Sequence, residues 1–204
     1  MGVIGVCFGL AANQLSPRGI NLGYIPPALT NVVVNVPTNT PGGSTNKLSP
    51  TEHLIAKLRA NGLQYADSNM VTLLYQDPRY QQELVIFIDA RDDRHYQEGH
   101  VPGAYQFDPW RKDNYLPTVL PVCMTAQQIV VYCNGGDCDD SQVAAVELRN
   151  AELQNAGVPS DKFFVYGGGM TEWITNQLPV EIGIRKSGNI RTNFPAPVKQ
   201  AASK

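Results

Sequence analysis

Two cysteines, Cys133 and Cys138, fall within the short stretch VVYCNGGDCDDSQ, residues 130–142. Cys133 closes an apolar run. Gly135, Gly136, Asp137, Asp139 and Asp140 follow it, and a helix-like segment begins at Asp140 or Ser141. Glycines between a strand end and a helix start let successive backbone N–H groups turn inward as an anion-binding nest, reinforced by the helix N-terminus. A thiol placed in such a nest loses its proton more easily, and the thiolate is the nucleophile. The same residues also fit a disulfide, since a tight loop with four intervening residues can bring two Cα atoms within about 4.4–6.8 Å. A third reading is an inert buried cysteine beside a turn. The Cys-x4-Cys spacing suits zinc ligands as well, but two more are needed and no close Cys or His pair supplies them. Cys123 lies ten residues before Cys133, so the strand between them carries it to the opposite end of a sheet. No metal or cofactor is expected.

The elements that must hold this loop are legible around it. LVIFI (84–88), IVVY (129–132) and FFVY (163–166) are continuous apolar runs, as in strands buried on both faces. LQYA (63–66) reads as a further short strand. Asp67-Ser68 caps a helix carrying Val71, Leu74 and Tyr75. Helical segments are expected over 141–156, with Ala144, Leu148 and Ala151 on one face, and over 169–177 around Trp173. Strands alternating with helices imply a mostly parallel sheet covered on both sides. In such a sheet ligands bind beyond the carboxyl ends of the strands, where Cys133 sits. Upstream, Ser49-Pro50-Thr51-Glu52 forms a capping box with proline at the first helical position, and Gly62 is a natural stop.

The 204 residues and formal net charge of −2 suit one domain with appendages and give no electrostatic footprint for nucleic acid. Four cysteines are too few for a disulfide scaffold. Residues 2–12, GVIGVCFGLAA, are uncharged and mostly apolar. The run is about half the ~20 residues that span a bilayer and lacks the basic region of a signal peptide. It reads as the end of a membrane helix, a short interfacial helix or a disordered apolar tip. The first of these places Arg18, and with it the domain, on the cytoplasmic side; a soluble cytoplasmic protein is the alternative. Residues 20–49 have linker composition around one β-prone run, NVVVNV (31–36).

Three stretches together resemble the rhodanese family. VIFIDARDDRHYQEGHVPGAYQF (85–107) is similar to its first signature, VVYCNGGDCDDS to its active-site loop, and VYGGGMTEWITNQLPVEIG (165–183) to its C-terminal signature. The resemblance implies an α/β fold with a five-stranded parallel sheet and helices on both faces. It divides the chain into an apolar stub or anchor end (1–20), a linker with a short helix (21–62), the domain (63–183) and a flexible tail (184–204). It implies that Cys133 accepts sulfur from a persulfide or other sulfane-sulfur donor and passes it to an acceptor thiol. Backbone N–H groups of Asn134, Gly135, Gly136, Asp137, Cys138 and Asp139, with Asp140 or Ser141 opening the helix, would hold the sulfur's charge. Cys138 is an extra thiol, as in a subgroup with two-cysteine loops, and is expected to act as a relay or resolving group. Asp89, Arg91 and His100 are expected to brace the loops rather than react.

The departures are as informative. The usual loop has five residues before the helix and often a basic one; here it reads as two residues longer and acidic. His95 stands where the family places a glutamate, leaving Glu98 or Asp92 to partner Arg91. Related phosphatases need a Cys-x5-Arg loop, and Asp139 occupies the arginine position. Asp108-Pro109-Trp110 and Tyr115 either line the mouth or cover the sheet. A non-catalytic binding module with the same fold is the alternative to an enzyme, and residues 1–12 are a candidate membrane contact.

Overall fold

The computed structural model describes residues 49–153 and 160–194. The expected apolar stub, the β-prone run at 31–36, the end of the helix past 153 and the tail from 195 lie outside the described residues. In chain order the elements are α1 (Pro50–Ala60), β1 (Gln64–Ala66), α2 (Ser68–Gln76), α3 (Pro78–Gln81), β2 (Val85–Asp89), α4 (Asp93–Glu98), β3 (Tyr105–Gln106), a 3-10 turn (Pro109–Asn114), α5 (Leu116–Thr125), β4 (Gln128–Tyr132), α6 (Asp140–Leu153), a second 3-10 turn (Ser160–Lys162), β5 (Phe163–Tyr166), α7 (Gly169–Thr175), β6 (Val180–Glu181) and β7 (Ile190–Arg191).

Strands β1 to β5 form one sheet in the order β1-β5-β4-β2-β3, and every pairing is parallel. Residues of β2, β4 and β5 are buried nearly throughout, because successive side chains feed two separate cores. Ile86, Ile88, Ile129, Val131, Phe163 and Val165 meet helix residues such as Leu58, Val119, Ala144 and Leu148 on one face. Val85, Phe87, Val130, Tyr132, Phe164 and Tyr166 meet Val71, Leu74, Met170 and Trp173 on the other. The alternation decides where the chemistry lies. Ile129 and Val131 face the first core, so Cys133, two residues on, belongs to it too.

Packed structure extends past both expected bounds of the domain. Helix α1 has the capping box in place, with the Ser49 N–H donating to Glu52 Oε2 (2.7 Å) and the Glu52 N–H to Ser49 Oγ (3.2 Å). It docks through Leu58, whose full burial is worth about 2 kcal/mol. Thus the short helix expected in the linker is part of the domain. Residues 184–194, expected to begin a flexible tail, are likewise held. The Arg185 guanidinium lies 3.6 Å from the Tyr105 ring centroid, donates to the Gly103 carbonyl (2.8 Å) and pairs with Glu83 (2.5 Å). Strands β6 and β7 pair antiparallel. Lys186 and Arg185 beside Glu83 hold its carboxyl down to about 2. Among the described residues no helix is long and apolar enough to cross a membrane.

Candidate functional site

Cys133 follows the last residue of β4, at the carboxyl end of the sheet, and is 1% exposed. Six residues, 134–139, separate it from the start of α6 at Asp140. The loop is therefore one residue longer than the usual five, not two. Cys133 and Cys138 are joined by a disulfide, with Cα atoms 6.5 Å apart. Cys133 Sγ lies 3.2 Å from the Cys138 carbonyl oxygen and 3.5 Å from Ser141 Oγ. Cys138 Sγ lies 3.7 Å from Asp140 Oδ2.

Two glycine runs, distant in sequence, make this geometry. Gly135 has φ +92°, and a Cβ there would strike the Gly168 carbonyl; Gly169 has φ +56°, and a Cβ there would strike the backbone of Cys133, Asn134 and Gly135. The two segments interlock because neither carries a side chain. Hydrogen bonds then join them: the Met170 N–H donates to the Cys133 carbonyl (2.8 Å) and the Thr171 N–H to the Asn134 carbonyl (3.1 Å). Free N–H groups at the start of α7 are thereby satisfied by the loop. Within the loop, Cys138 N–H donates to the Gly135 carbonyl (3.4 Å), while no partner takes the N–H of Gly136, Asp137, Asp139 or Asp140 among the described residues. A Gly135→Ala variant should lose about 1–3 kcal/mol, from positive-φ strain and the collision with Gly168. Gly136→Ala, at φ +65° with open space around its Cβ position, should lose about 1 kcal/mol. Urea unfolding of the two variants separates collision from strain, since only Gly135 meets the other segment.

The acidic loop is compensated from outside. Lys57 Nζ of α1 bonds Asp139 Oδ1 at 3.0 Å, and Gln142 Nε2 donates to the same oxygen at 2.6 Å. The indole N–H of Trp110 donates to Asp140 Oδ1 at 3.0 Å, while its ring is 74% exposed. Only Asp137 of the three carries no such partner among the described residues. Trp110 thus stands at the loop, whereas Tyr115 turns away and donates to Asp93 Oδ1 (2.5 Å). An open cleft of about 590 Å3 lies between α1 and the loop, lined by His53, Lys57, Asp137, Asp139, Gln142 and Glu172. Lys57 and Gln142 carry no motif that marks them in the sequence. Lys57 meets the loop across 82 residues.

The remaining expected residues are buried. Asp89 is fully buried and Arg91 is 7% exposed; Arg91 donates from Nε and Nη2 to the two Asp89 oxygens (2.9 and 2.6 Å) and from Nη2 to the Gly99 carbonyl (2.6 Å). Neither Glu98 nor Asp92 serves Arg91, contrary to expectation. Asp92 caps α4 and bonds His95 Nδ1 (2.8 Å), and Glu98 pairs with Arg94 (3.4 Å). With a shorter carboxylate already chelated two residues away, no glutamate is needed. His100 is fully buried, stacks on Tyr96, donates from Nδ1 to the Tyr96 carbonyl (2.9 Å) and meets Glu181 Oε2 with Nε2 (3.2 Å). Burial holds its pKa below the ordinary histidine value. It ties the loop before β3 to β6. Among the described residues no three His, Cys, Asp or Glu side chains gather as a metal site.

The sequence model of the rhodanese-like domain matches residues 71–176, more than half of the chain. The chain belongs to the rhodanese-like domain family. Helix α1 and the β6–β7 hairpin lie outside the matched span. No curated protein matches the chain. Among solved structures, the rhodanese-like domain of an Anabaena sp. protein is 22% identical, with 69% of this chain and 92% of that one covered and a TM-score of 0.41. A thiosulfate sulfurtransferase from Pseudomonas aeruginosa is 19% identical over 67% of this chain and 23% of its own, with a TM-score of 0.43. An As-Sb reductase from Leishmania major is 14% identical over 64% of this chain and 92% of its own, with a TM-score of 0.48.

Proposed function

We propose that this rhodanese-like domain transfers sulfane sulfur through Cys133, with Cys138 closing a disulfide between rounds. The observation that carries the reading is the place of Cys133: at a strand end, under a glycine-built loop with unpartnered N–H groups, and bonded to Cys138. When both cysteines are reduced, the Cys133 thiolate attacks the outer sulfur of a donor persulfide. The donor's S–S bond breaks, the donor leaves as its thiolate, and Cys133 carries a persulfide. An acceptor thiolate then removes the outer sulfur and restores the Cys133 thiolate. Without an acceptor, the Cys138 thiolate attacks Cys133 Sγ and expels hydrosulfide, which leaves the disulfide.

Mass spectrometry of reduced protein after exposure to sulfane-sulfur donors tests this. One added sulfur on the Cys133 peptide is expected; a chain that gains none is a binding module. Thiosulfate should be a poor donor beside a persulfide, because Asp137 faces the loop with no cation of its own. At about 6 Å it disfavours a dianion roughly tenfold even at waterlike dielectric. Asp137→Asn should raise transfer from thiosulfate at low salt and less so at high salt. Lys57→Ala should lower it, by exposing the charge of Asp139. No change in either variant at low salt would remove charge as the basis of donor choice.

Membrane contact through residues 1–12 is part of the same proposal, and rests on their uncharged apolar composition. Liposome flotation should fall on deletion of residues 1–20. Equal flotation of the two chains would remove the contact.

A further inference from the structure

We infer that the thiol which reopens this site attacks Cys138 and expels Cys133. As the resting state of a sulfur-transfer site, the reading on which this rests, the disulfide must be opened by a thiol before Cys133 can take sulfur. Its two sulfurs are chemically distinct in this fold. Cys133 is 1% exposed and belongs to the apolar core that includes Val131, Ala144 and Ala145, while Cys138 is only partly buried and packs on the rim of that core. Displacement at sulfur needs an approach in line with the bond that breaks. Cys133 Sγ is closed in by the packed core, whereas Cys138 is only partly buried in the loop.

The leaving groups point the same way. A thiolate leaves faster when its negative charge is stabilised. Cys133 Sγ has the Ser141 hydroxyl at 3.5 Å and sits at the base of the loop whose N–H groups lack partners. Cys138 Sγ has the Asp140 carboxylate at 3.7 Å, a like charge that disfavours a thiolate there. Attack on Cys138 therefore releases the better leaving group, and attack on Cys133 would release the worse one. An incoming thiolate bonds to Cys138 Sγ, the Cys133–Cys138 bond breaks, and the electron pair leaves on Cys133. A second thiol attacks the mixed disulfide on Cys138, is oxidised with the first to a small disulfide, and returns Cys138 as a thiolate. Two thiols supply the two electrons. Cys133 is consequently the first sulfur set free, already under the loop that would bind a donor, while the reductant is still attached to its neighbour.

The test uses the full oxidised chain, 2-mercaptoethanol and an excess of iodoacetamide, which captures each thiolate as it appears. Peptide mass spectrometry reads which cysteine carries mercaptoethanol and which is alkylated. Mercaptoethanol on Cys138 with an alkylated Cys133 should exceed the reverse pattern about tenfold or more, given how strongly access and leaving group steer such exchange. The reverse pattern, an even mixture, or no adduct at either cysteine would overturn the inference. Persulfide formation on the separately reduced protein distinguishes the two readings. A persulfide on Cys133 together with the reverse adduct pattern overturns the order of attack and leaves sulfur transfer standing. Mercaptoethanol on Cys138 without any persulfide leaves the order of attack standing and overturns sulfur transfer.

Discussion

Cys133→Ser should abolish sulfane-sulfur loading, by at least about a thousandfold, as loss of a nucleophile does elsewhere. Cys138→Ser should load at close to the wild-type rate. The comparison is clean because both variants lose the same cross-link. A loop this short contributes about 2 kcal/mol in the chain-entropy account, and both serines forfeit it equally. A difference in loading between them therefore does not come from loss of the cross-link. Serine at position 133 keeps the volume of the site, and its hydroxyl can donate to the Cys138 carbonyl that now lies 3.2 Å from the sulfur. Cys138→Ser should instead change what happens next. With no neighbouring thiol to expel hydrosulfide, the Cys133 persulfide should persist until an outside thiol removes it. Time-resolved mass spectrometry of the Cys133 peptide reads both effects. Loading of the Cys133→Ser variant but not of Cys138→Ser would move the nucleophile to Cys138, and loading of neither would leave a binding module.

The sheet was legible because its strands are buried on both faces, which turns three of them into unbroken apolar runs. The loop was legible because glycines, a strand end and a helix start stand in sequence order. What lay beyond reach was every contact that spans the chain. Lys57 neutralises Asp139 across 82 residues, and nothing near Lys57 marks it. Gly169 was visible as part of a glycine run, but its fit against Gly135 exists only once both segments are placed. The β6–β7 hairpin was missed for another reason. Its strands are two residues each, too short for a period, and they are fixed by buried Glu181 and by Arg185 rather than by pattern. Burial pushes Glu181 up, yet the N–H donors of Gly103 and Gly188 outweigh it and hold the carboxyl below the usual range. Polar side chains organised this segment, so β7 read as part of a tail, although β6 fell inside the expected domain.

Arg91→Ala should cost about 3–5 kcal/mol, because it strands the Asp89 charge in a site with no solvent. Asp89 ends β2, opposite Tyr132 at the end of β4 and one residue from Cys133. Its carboxylate accepts the Arg91 backbone N–H (3.0 Å) and both guanidinium bonds, and Arg91 passes a third bond to the Gly99 carbonyl. Burial pulls the Arg91 pKa down, but the hydrogen bonds and charge of Asp89 outweigh it and leave it raised. The guanidinium thus stays charged at all ordinary pH. Removing the arginine takes both guanidinium bonds from Asp89. For a domain of this size the midpoint of thermal unfolding should fall by roughly 10 °C. A bracing role and a substrate-binding role diverge in the kinetics. If Arg91 braces the loops, sulfur loading measured well below the unfolding transition should stay within about threefold of wild type, with the loss confined to stability. A large rise in the donor concentration needed for loading, in protein that remains folded, would instead place the guanidinium against the donor. The geometry favours the first result, since the guanidinium donates its three hydrogen bonds to Asp89 and Gly99 and the side chain is 7% exposed.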